Sequence, residues 1–122
     1  MNRVRGFARD EGGVSAVELG ILGPAFLALL LGVIQGGLLI YTQASLHYAV
    51  QKSVRCTALM NNCPSPDRYY FGLGAPAFAT TPQTCGQALT GTVTYSLNVV
   101  LYQRNIPLSA TSCFPDIKSA SS

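Results

Sequence analysis

The feature that most constrains this chain is a run of 23 residues, 19–41, that carries no formal charge and has Gln35 as its only strongly polar side chain. A helix rises about 1.5 Å per residue, so such a run is long enough to cross a hydrocarbon core of about 30 Å with some tilt. A secretory signal has a shorter apolar region and a small-residue cleavage site. This run ends instead in Tyr41, Thr42 and Gln43. The sequence therefore predicts a membrane helix that is retained.

The basic residues before this run predict its orientation. Arg3, Arg5 and Arg9 precede it, and no comparable basic cluster follows Tyr41 closely. Short basic segments beside a span stay in the cytoplasm. We therefore expect a single-pass protein with a cytoplasmic N-terminus and a C-terminus outside. The net charge of +3 is otherwise scattered, with no basic stripe of the kind that binds nucleic acid.

All four cysteines lie beyond the apolar run, at Cys56, Cys63, Cys85 and Cys113. An even number on one side predicts an oxidising compartment and two disulfides, with reduced thiols as the alternative. A zinc site is disfavoured because there is no CxxC pair and the sole histidine, His47, falls in a helical stretch. Four cysteines allow three pairings. The sequential one, Cys56 with Cys63 and Cys85 with Cys113, needs the least chain reorganisation, and we expect it.

The helix is predicted to continue past the membrane, with residues 14–41 as the span and residues 42–59 as its extension. In the extension, small and apolar residues recur at helical spacing on one side, whereas Gln51, Lys52 and Arg55 lie on the other. The first set is Leu46, Ala49, Val50, Ser53, Val54 and Thr57. We expect this face to pack against the C-terminal strands, with a partner helix as the alternative.

Residues 60–122 are predicted to form a small extracytoplasmic region of loop and hairpin. Residues 60–91 are rich in turn formers and are expected to be irregular. Residues 92–102 are predicted to form a strand with one buried face, because apolar and polar side chains alternate from Val93 to Val99. A turn is expected at residues 103–105. A second strand is expected over residues 106–113, and because it contains Pro107 it should be interrupted or lie at the edge of the sheet. The predicted class is α+β, with one long N-terminal helix and a small β-hairpin or short antiparallel sheet.

No catalytic constellation is evident. Only two acids, Asp67 and Asp116, lie beyond the membrane run, and both are in turn-like contexts. The sequence has no phosphate loop, no nucleophile motif and no metal-ligand spacing. We therefore predict no enzyme activity, no catalytic residue, no metal and no cofactor.

The start of the apolar run carries the sharpest functional signal. Glu18 places a carboxylate at the beginning of a membrane helix. An acid at the centre of such a helix would raise the free energy of insertion by about 2.5–3.5 kcal/mol, and the cost near the boundary is lower. An interfacial position or the helix dipole would explain Glu18 if it stood alone. However, Gly13 precedes it by five residues, and this spacing resembles the processing site of type IV prepilins. The resemblance implies that a prepilin peptidase removes residues 1–13, a basic cytoplasmic leader. Val14 would then carry a free α-amine one helical turn from Glu18, which it could neutralise in the same or a neighbouring subunit.

A narrower resemblance rests on residues 13–18, Pro24, residues 30–36 and Arg55. Together they resemble the TadE-like family of pseudopilins, which serve the tight-adherence, or Flp pilus, system. The resemblance implies a pilin-like fold and a pseudopilin or minor pilin acting in pilus assembly or a related secretion system. Its implied partners are the inner membrane, a prepilin peptidase, other pilins and pilus-assembly membrane proteins. Gln35 stands where relatives often carry a glutamate. The alternative is an unprocessed single-span envelope anchor with a small disulfide-stapled binding domain.

Overall fold

The computed structural model describes residues 11–99 and 101–117. The elements that concern us are a helix α1 (Glu11–Leu59) and three strands, β1 (Ala77–Gln83), β2 (Gly86–Val99) and β3 (Tyr102–Phe114). A short 3-10 turn, Pro66–Tyr69, lies in the connection between α1 and β1. The chain divides into an N-terminal unit, Met1–Ile34, and a C-terminal unit, Gln35–Ser122. The predicted α+β class is confirmed.

Helix α1 is 49 residues long and ends where the sequence predicted, at Leu59. It begins three residues before the expected Val14 and contains Pro24 in its interior. The Met60 amide donates to the Cys56 carbonyl oxygen at 2.7 Å and completes the last turn. The turn formers from Asn61 onward then lead the chain away from the helix axis.

The three strands form one antiparallel sheet in the order β1-β2-β3, with β2 in the centre. Val99, the last residue of β2, pairs with Tyr102, the first residue of β3, so the two strands follow each other closely in the sequence. Pro107 pairs with Thr94 and lies on β3, an edge strand. A proline has no amide hydrogen to donate to a neighbouring strand, so the sequence predicts an edge strand here, and that prediction is confirmed.

Two expectations for the sheet were wrong. Residues 77–83 and 86–91, predicted to be irregular, form β1 and the first part of β2. They lack alternating hydrophobicity, and their strand structure comes from cross-strand pairing, beginning at Ala77 with Thr92. The second error concerns the turn, which was expected at residues 103–105, whereas these residues pair with β2 as part of β3. Tyr102 therefore opens β3 and does not end β2, because register with β2 overrides the polar local sequence.

The core of the C-terminal unit lies between the second part of α1 and the sheet. Its buried members are Leu46, Val50, Val54, Leu89, Val93 and Ala110, with Tyr70, Phe78, Leu108 and Phe114 packed against them. The predicted helical face is therefore the buried one, except that Thr57 is exposed and Ala58 is buried instead. On β2, Val93 and Tyr95 are buried and Thr94 and Ser96 are exposed, as the alternation predicted.

Candidate functional site

The described part of the N-terminal unit is an apolar helix whose side chains are exposed. Leu19, Ile21 and Val33 are 73%, 71% and 66% exposed. The most hydrophobic 18-residue window of the helix has a mean hydropathy of 2.2 and is 0% buried. By length and composition, this helix can cross a membrane. Leaving so much apolar surface in water is unfavourable, so this surface requires lipid or another apolar partner.

The predicted processing residues lie at the beginning of this helix. Gly13 is exposed, and a Cβ added there would meet nothing within 4 Å. Glu18 is also exposed, and α1 includes both Val14 and Glu18, which places them one helical turn apart. The side chain of Val14 and residues 1–10, which hold the basic leader's arginines, lie outside what the structure describes.

The first polar side chain after the apolar stretch, Gln35, has a specific partner. The Tyr95 hydroxyl donates to Gln35 Oε1 at 2.8 Å. Tyr95 is only 4% exposed, so this bond gives a buried hydroxyl its acceptor. The uncharged amide serves as the acceptor without the desolvation cost that a carboxylate would carry at this position.

Further along α1, polar side chains form hydrogen bonds with the backbone of a loop and of the sheet. Thr42 Oγ1 accepts from the Leu73 amide at 3.4 Å, and Ser45 Oγ accepts from the Phe71 amide at 2.7 Å. Gln43 donates through Nε2 to the Ser109 carbonyl oxygen at 3.1 Å. These bonds attach the loop before β1 and part of β3 to the helix surface.

Gly91, on β2, sets how closely the sheet approaches the helix. A Cβ at this position would lie 2.9 Å from Val50 Cγ2 and 3.0 Å from Leu46 Cδ1. It would also lie 2.9 Å from Phe78 Cε1, so any side chain would force these groups apart. The glycine is therefore needed for close backbone approach and not for turn formation.

Two disulfides close the C-terminal unit. They join Cys56 to Cys63 and Cys85 to Cys113, and no described cysteine is free. The first joins the last turn of α1, at Cys56, to the segment just after the helix, at Cys63. The second connects the β1–β2 turn to the last part of β3 at one end of the sheet.

A cavity of about 430 Å³ lies between the end of α1, the Cys56–Cys63 loop and the sheet. Its lining includes Val54, Leu89 and Phe114, together with Asp116 and Ser53. Ser53 is 4% exposed and its hydroxyl oxygen has no hydrogen-bond partner among the described residues. The cavity is thus mostly apolar with a few polar atoms.

Titratable groups in the described residues offer little chemistry. Burial raises the pKa of the Tyr70 hydroxyl, which donates to the Leu73 carbonyl oxygen at 2.6 Å. His47 lies 3.1 Å from Gln43 Nε2, away from the cysteines. Within residues 11–99 and 101–117, no three His, Cys, Asp or Glu side chains are grouped so that they could hold a metal ion.

Sequence reasoning missed two residues that organise the C-terminal unit. Tyr95 was recognised only as an inward strand residue, and its partner sixty positions earlier leaves no local signal. The sequence predicts an irregular segment at Gly91, although an isolated glycine between strand-like residues can mark a close approach of two backbones. The local sequence therefore contains a signal of the close approach at Gly91, and it contains none of the hydrogen bond between Gln35 and Tyr95.

One comparison with known proteins found a match, in the N-terminal part of the chain. A family model described as TadE-like protein matches residues 13–55. The match begins at the predicted processing glycine and ends at Arg55, which agrees with the resemblance drawn from the motif. Searches of curated proteins and of solved structures found no match.

Proposed function

We propose that this chain, which is TadE-like over residues 13–55, is a pseudopilin or minor pilin of a bacterial tight-adherence pilus or a related secretion system. The proposal rests on one observation: the segment that matches the family model is the same segment that forms the exposed helix. The TadE-like segment covers the exposed apolar helix and the Gly13–Glu18 motif at its start.

The exposed helix suits such a role physically. A helix that is apolar on all sides is stable in lipid, and in a filament the same surface can pack against helices of neighbouring subunits. Gly32 and Gly36 are four residues apart, and a Cβ added at either would meet nothing within 4 Å. That spacing allows membrane helices to approach closely.

We place the membrane span at residues 14–34 and not up to Tyr41. These 21 residues correspond to about 31 Å of helix, which matches the hydrocarbon thickness. From Gln35 onward, helix residues contact loops and strands: Gln35 binds Tyr95, and Thr42 binds the backbone of Leu73. Residues 35–59 therefore belong outside the bilayer, as the base on which the sheet packs.

The proposed topology puts the N-terminus in the cytoplasm and the C-terminal unit on the periplasmic or outer side of the inner membrane. Arg3, Arg5 and Arg9 favour this orientation. The two disulfides also favour it, because disulfides persist in oxidising compartments. A periplasm-dependent reporter fused after Ser122 should be active, and activity of a cytoplasm-dependent reporter there would reverse the orientation.

Processing is the decisive test of the pilin role. A prepilin peptidase should cut between Gly13 and Val14, so intact mass and N-terminal sequencing of membrane-fraction protein should find Val14 first. Gly13→Trp should leave the longer precursor, whereas the matched variant Gly12→Trp should still be cut. Wild-type protein that retains residues 1–13 would contradict the pilin role.

Glu18 is proposed to act in assembly by pairing with the α-amine of Val14. Glu18→Ala removes a costly group from the membrane, so insertion should be as good or better. Pilus formation should fall while the protein level holds. Glu11→Ala is the matched control, because Glu11 would leave with the leader. Normal pilus formation with Glu18→Ala would remove this role.

The second candidate is an unprocessed single-span anchor carrying a small binding domain. The disulfide-closed unit and its cavity of about 430 Å³ favour it, because ligand pockets are usually concave and mostly apolar with a few polar groups. The same mass measurement decides between the two candidates: retention of residues 1–13 favours the anchor.

A further inference from the structure

We propose that the cavity beside the end of α1 is a binding site for a small uncharged molecule that is mostly apolar and carries one hydroxyl group. We call it the helix-end cavity and define it by Ser53, Ala58, Pro64, Leu89 and Phe114. All of its lining residues lie in the C-terminal unit. The proposal goes beyond the pilin role and does not depend on whether residues 1–13 are removed.

The helix-end cavity exists because the packing between α1 and the sheet changes along the helix. At Gly91 the two elements approach so closely that an added Cβ would lie 2.9 Å from Val50 Cγ2. Further along α1, the cavity is lined by Ser53 and Ala58, which are buried but small. They leave a space of about 430 Å³, which is unusual because protein interiors hold few voids larger than a water molecule. The exposed Thr80 lies at its edge, so the space is open to solvent on that side.

The Ser53 hydroxyl gives the helix-end cavity a specific polar group. Ser53 is 4% exposed, and its hydroxyl oxygen has no hydrogen-bond partner among the described residues. Buried polar groups in native structures nearly always have a partner, because an unpaired one has lost its bonds to water. Thr57, also in the lining, differs, since its hydroxyl donates to the Ser53 and Val54 carbonyl oxygens at 2.7 and 3.2 Å. A ligand hydroxyl can donate to Ser53 or accept from it, so binding would pair this group.

The rest of the lining sets the charge and size of the ligand. Val54, Leu89 and Phe114 supply apolar walls. Among the described lining residues, Asp116 has the only ionisable side chain. Burying a charge is costly, and the Asp116 carboxylate would also repel an anion, so a neutral ligand is favoured. An engineered cavity of about 150 Å³ binds benzene, so a cavity of about 430 Å³ has room for two fused rings.

A free molecule suits the helix-end cavity better than a side chain of a partner protein. A protein side chain brings its backbone to the opening, and the polar groups of that backbone need hydrogen-bond partners there. Pro64 and Pro66 border the cavity and have no N–H to offer. The Ser65 carbonyl oxygen between them already accepts from the Arg68 amide at 3.1 Å. A small molecule needs only the walls and the Ser53 hydroxyl.

Three probes with the same two fused rings test the proposal: naphthol, naphthalene and naphthoate. Each is titrated into the full-length protein in detergent micelles, and the amide NMR signals of Leu89 and Phe114 report binding. Naphthol should produce saturable shifts, naphthalene weaker ones and naphthoate none. Dissociation constants are compared after correction for the partition of each probe into protein-free micelles.

Ser53→Ala separates recognition of the hydroxyl from filling of the helix-end cavity. It should raise the Kd of naphthol about three- to tenfold, as expected for one lost hydrogen bond, and leave the Kd of naphthalene unchanged. Ala58→Leu fills the cavity and should abolish the shifts with both probes. If Ala58→Leu fails to fold, Thr80→Phe narrows the opening from an exposed position. Thr94→Phe, exposed on the other face of the sheet, is its matched control.

Each alternative result overturns a defined part of the proposal. Naphthol shifts that never saturate, or that persist in both Ala58→Leu and Thr80→Phe, would overturn the site. An effect of Ser53→Ala that is absent, or equal for naphthol and naphthalene, would overturn recognition of the hydroxyl. Naphthoate that binds as tightly as naphthol would overturn the uncharged ligand class. The mass measurement at Gly13 tests the pilin role separately, so the two proposals can fail independently.

Discussion

Helix α1 contains two regions with the same backbone and opposite surroundings. Leu22 in the N-terminal unit is 66% exposed, whereas Leu46 in the C-terminal unit is 0% exposed. From residue 19 to residue 34 the helix has no polar side chain, but Gln35, Thr42 and Ser45 each bind another part of the chain. The difference shows that helical conformation and apolar content alone do not create a core.

What separates the two regions is the distribution of residue types around the helix. A helix that is apolar all round suits lipid, which imposes no preferred face. A helix that packs on a sheet needs one face of small and apolar residues. It also needs polar side chains wherever a buried N–H or C=O group of a neighbouring loop lacks a hydrogen-bond partner. The next four predictions test whether the C-terminal unit folds on its own contacts, independently of the apolar segment.

The largest expected effect comes from the disulfide that joins the β1–β2 turn to β3. Cys85 and Cys113 are 28 residues apart, and loop entropy predicts about 3.6 kcal/mol of stabilisation from closing that loop. The double variant Cys85→Ser/Cys113→Ser should lower the free energy of unfolding of the C-terminal unit by about this amount. Urea unfolding in detergent, followed by near-ultraviolet circular dichroism, measures it, because all six tyrosines lie at or beyond Tyr41.

The Cys56–Cys63 disulfide provides the matched control. Its separation is 7, and the same relation predicts about 2.5 kcal/mol. Membrane extraction should be unchanged in both double variants, since neither alters the apolar segment. Peptide mapping that links Cys56 to Cys113 would contradict the pairing on which both values depend.

A pair of leucine truncations compares the two halves of α1 directly. Leu46→Ala removes a fully buried side chain and should cost about 3 kcal/mol through lost transfer energy and a cavity. Leu27→Ala, at a position that is 60% exposed, should leave the unfolding of the C-terminal unit unchanged. Equal losses at the two positions would show that the apolar segment shares the core.

The hydrogen bond between Gln35 and Tyr95 marks where the C-terminal unit begins. Gln35→Leu leaves the buried Tyr95 hydroxyl without its acceptor and should cost about 1–3 kcal/mol. Tyr95→Phe removes the donor and should cost less, and the double variant should be no worse than Gln35→Leu alone. Additive losses in this double-mutant cycle would mean that the two side chains act independently.

The smallest expected effect is a pH dependence at Tyr70. Burial raises the pKa of this hydroxyl above its ordinary value of 10.0, so folding favours the neutral form. Its contribution is complete below pH 10 and is lost as the pH rises through the higher pKa of the folded state. The unfolding midpoint of the wild type should therefore fall more between pH 9 and pH 11 than that of Tyr70→Phe. Parallel curves would contradict the assignment.

Local sequence was enough to predict the elements with strong periodic signals. The helix end at Leu59, the inward face through Leu46 and Val50, and the alternation around Val93 and Tyr95 all follow from spacing that local sequence displays. Strand β1 was not predictable in this way. It is exposed along almost its whole length, and it is a strand because β2 supplies its hydrogen-bond partners.

By itself, the sequence determined the apolar helix, the similarity of residues 13–55 to a TadE-like family model and the amphipathic stretch after the apolar run, because these depend on residue type and spacing along one helix. Tertiary structure decided the register of β3 on β2, the close approach at Gly91 and the partner of Gln35. The contacts of Gly91 with Leu46 and the bond between Gln35 and Tyr95 join residues far apart in the chain. Cross-strand register and the distance between helix and sheet are set only when the elements pack, so local sequence can mark Gly91 as a place of close approach but does not show what approaches it.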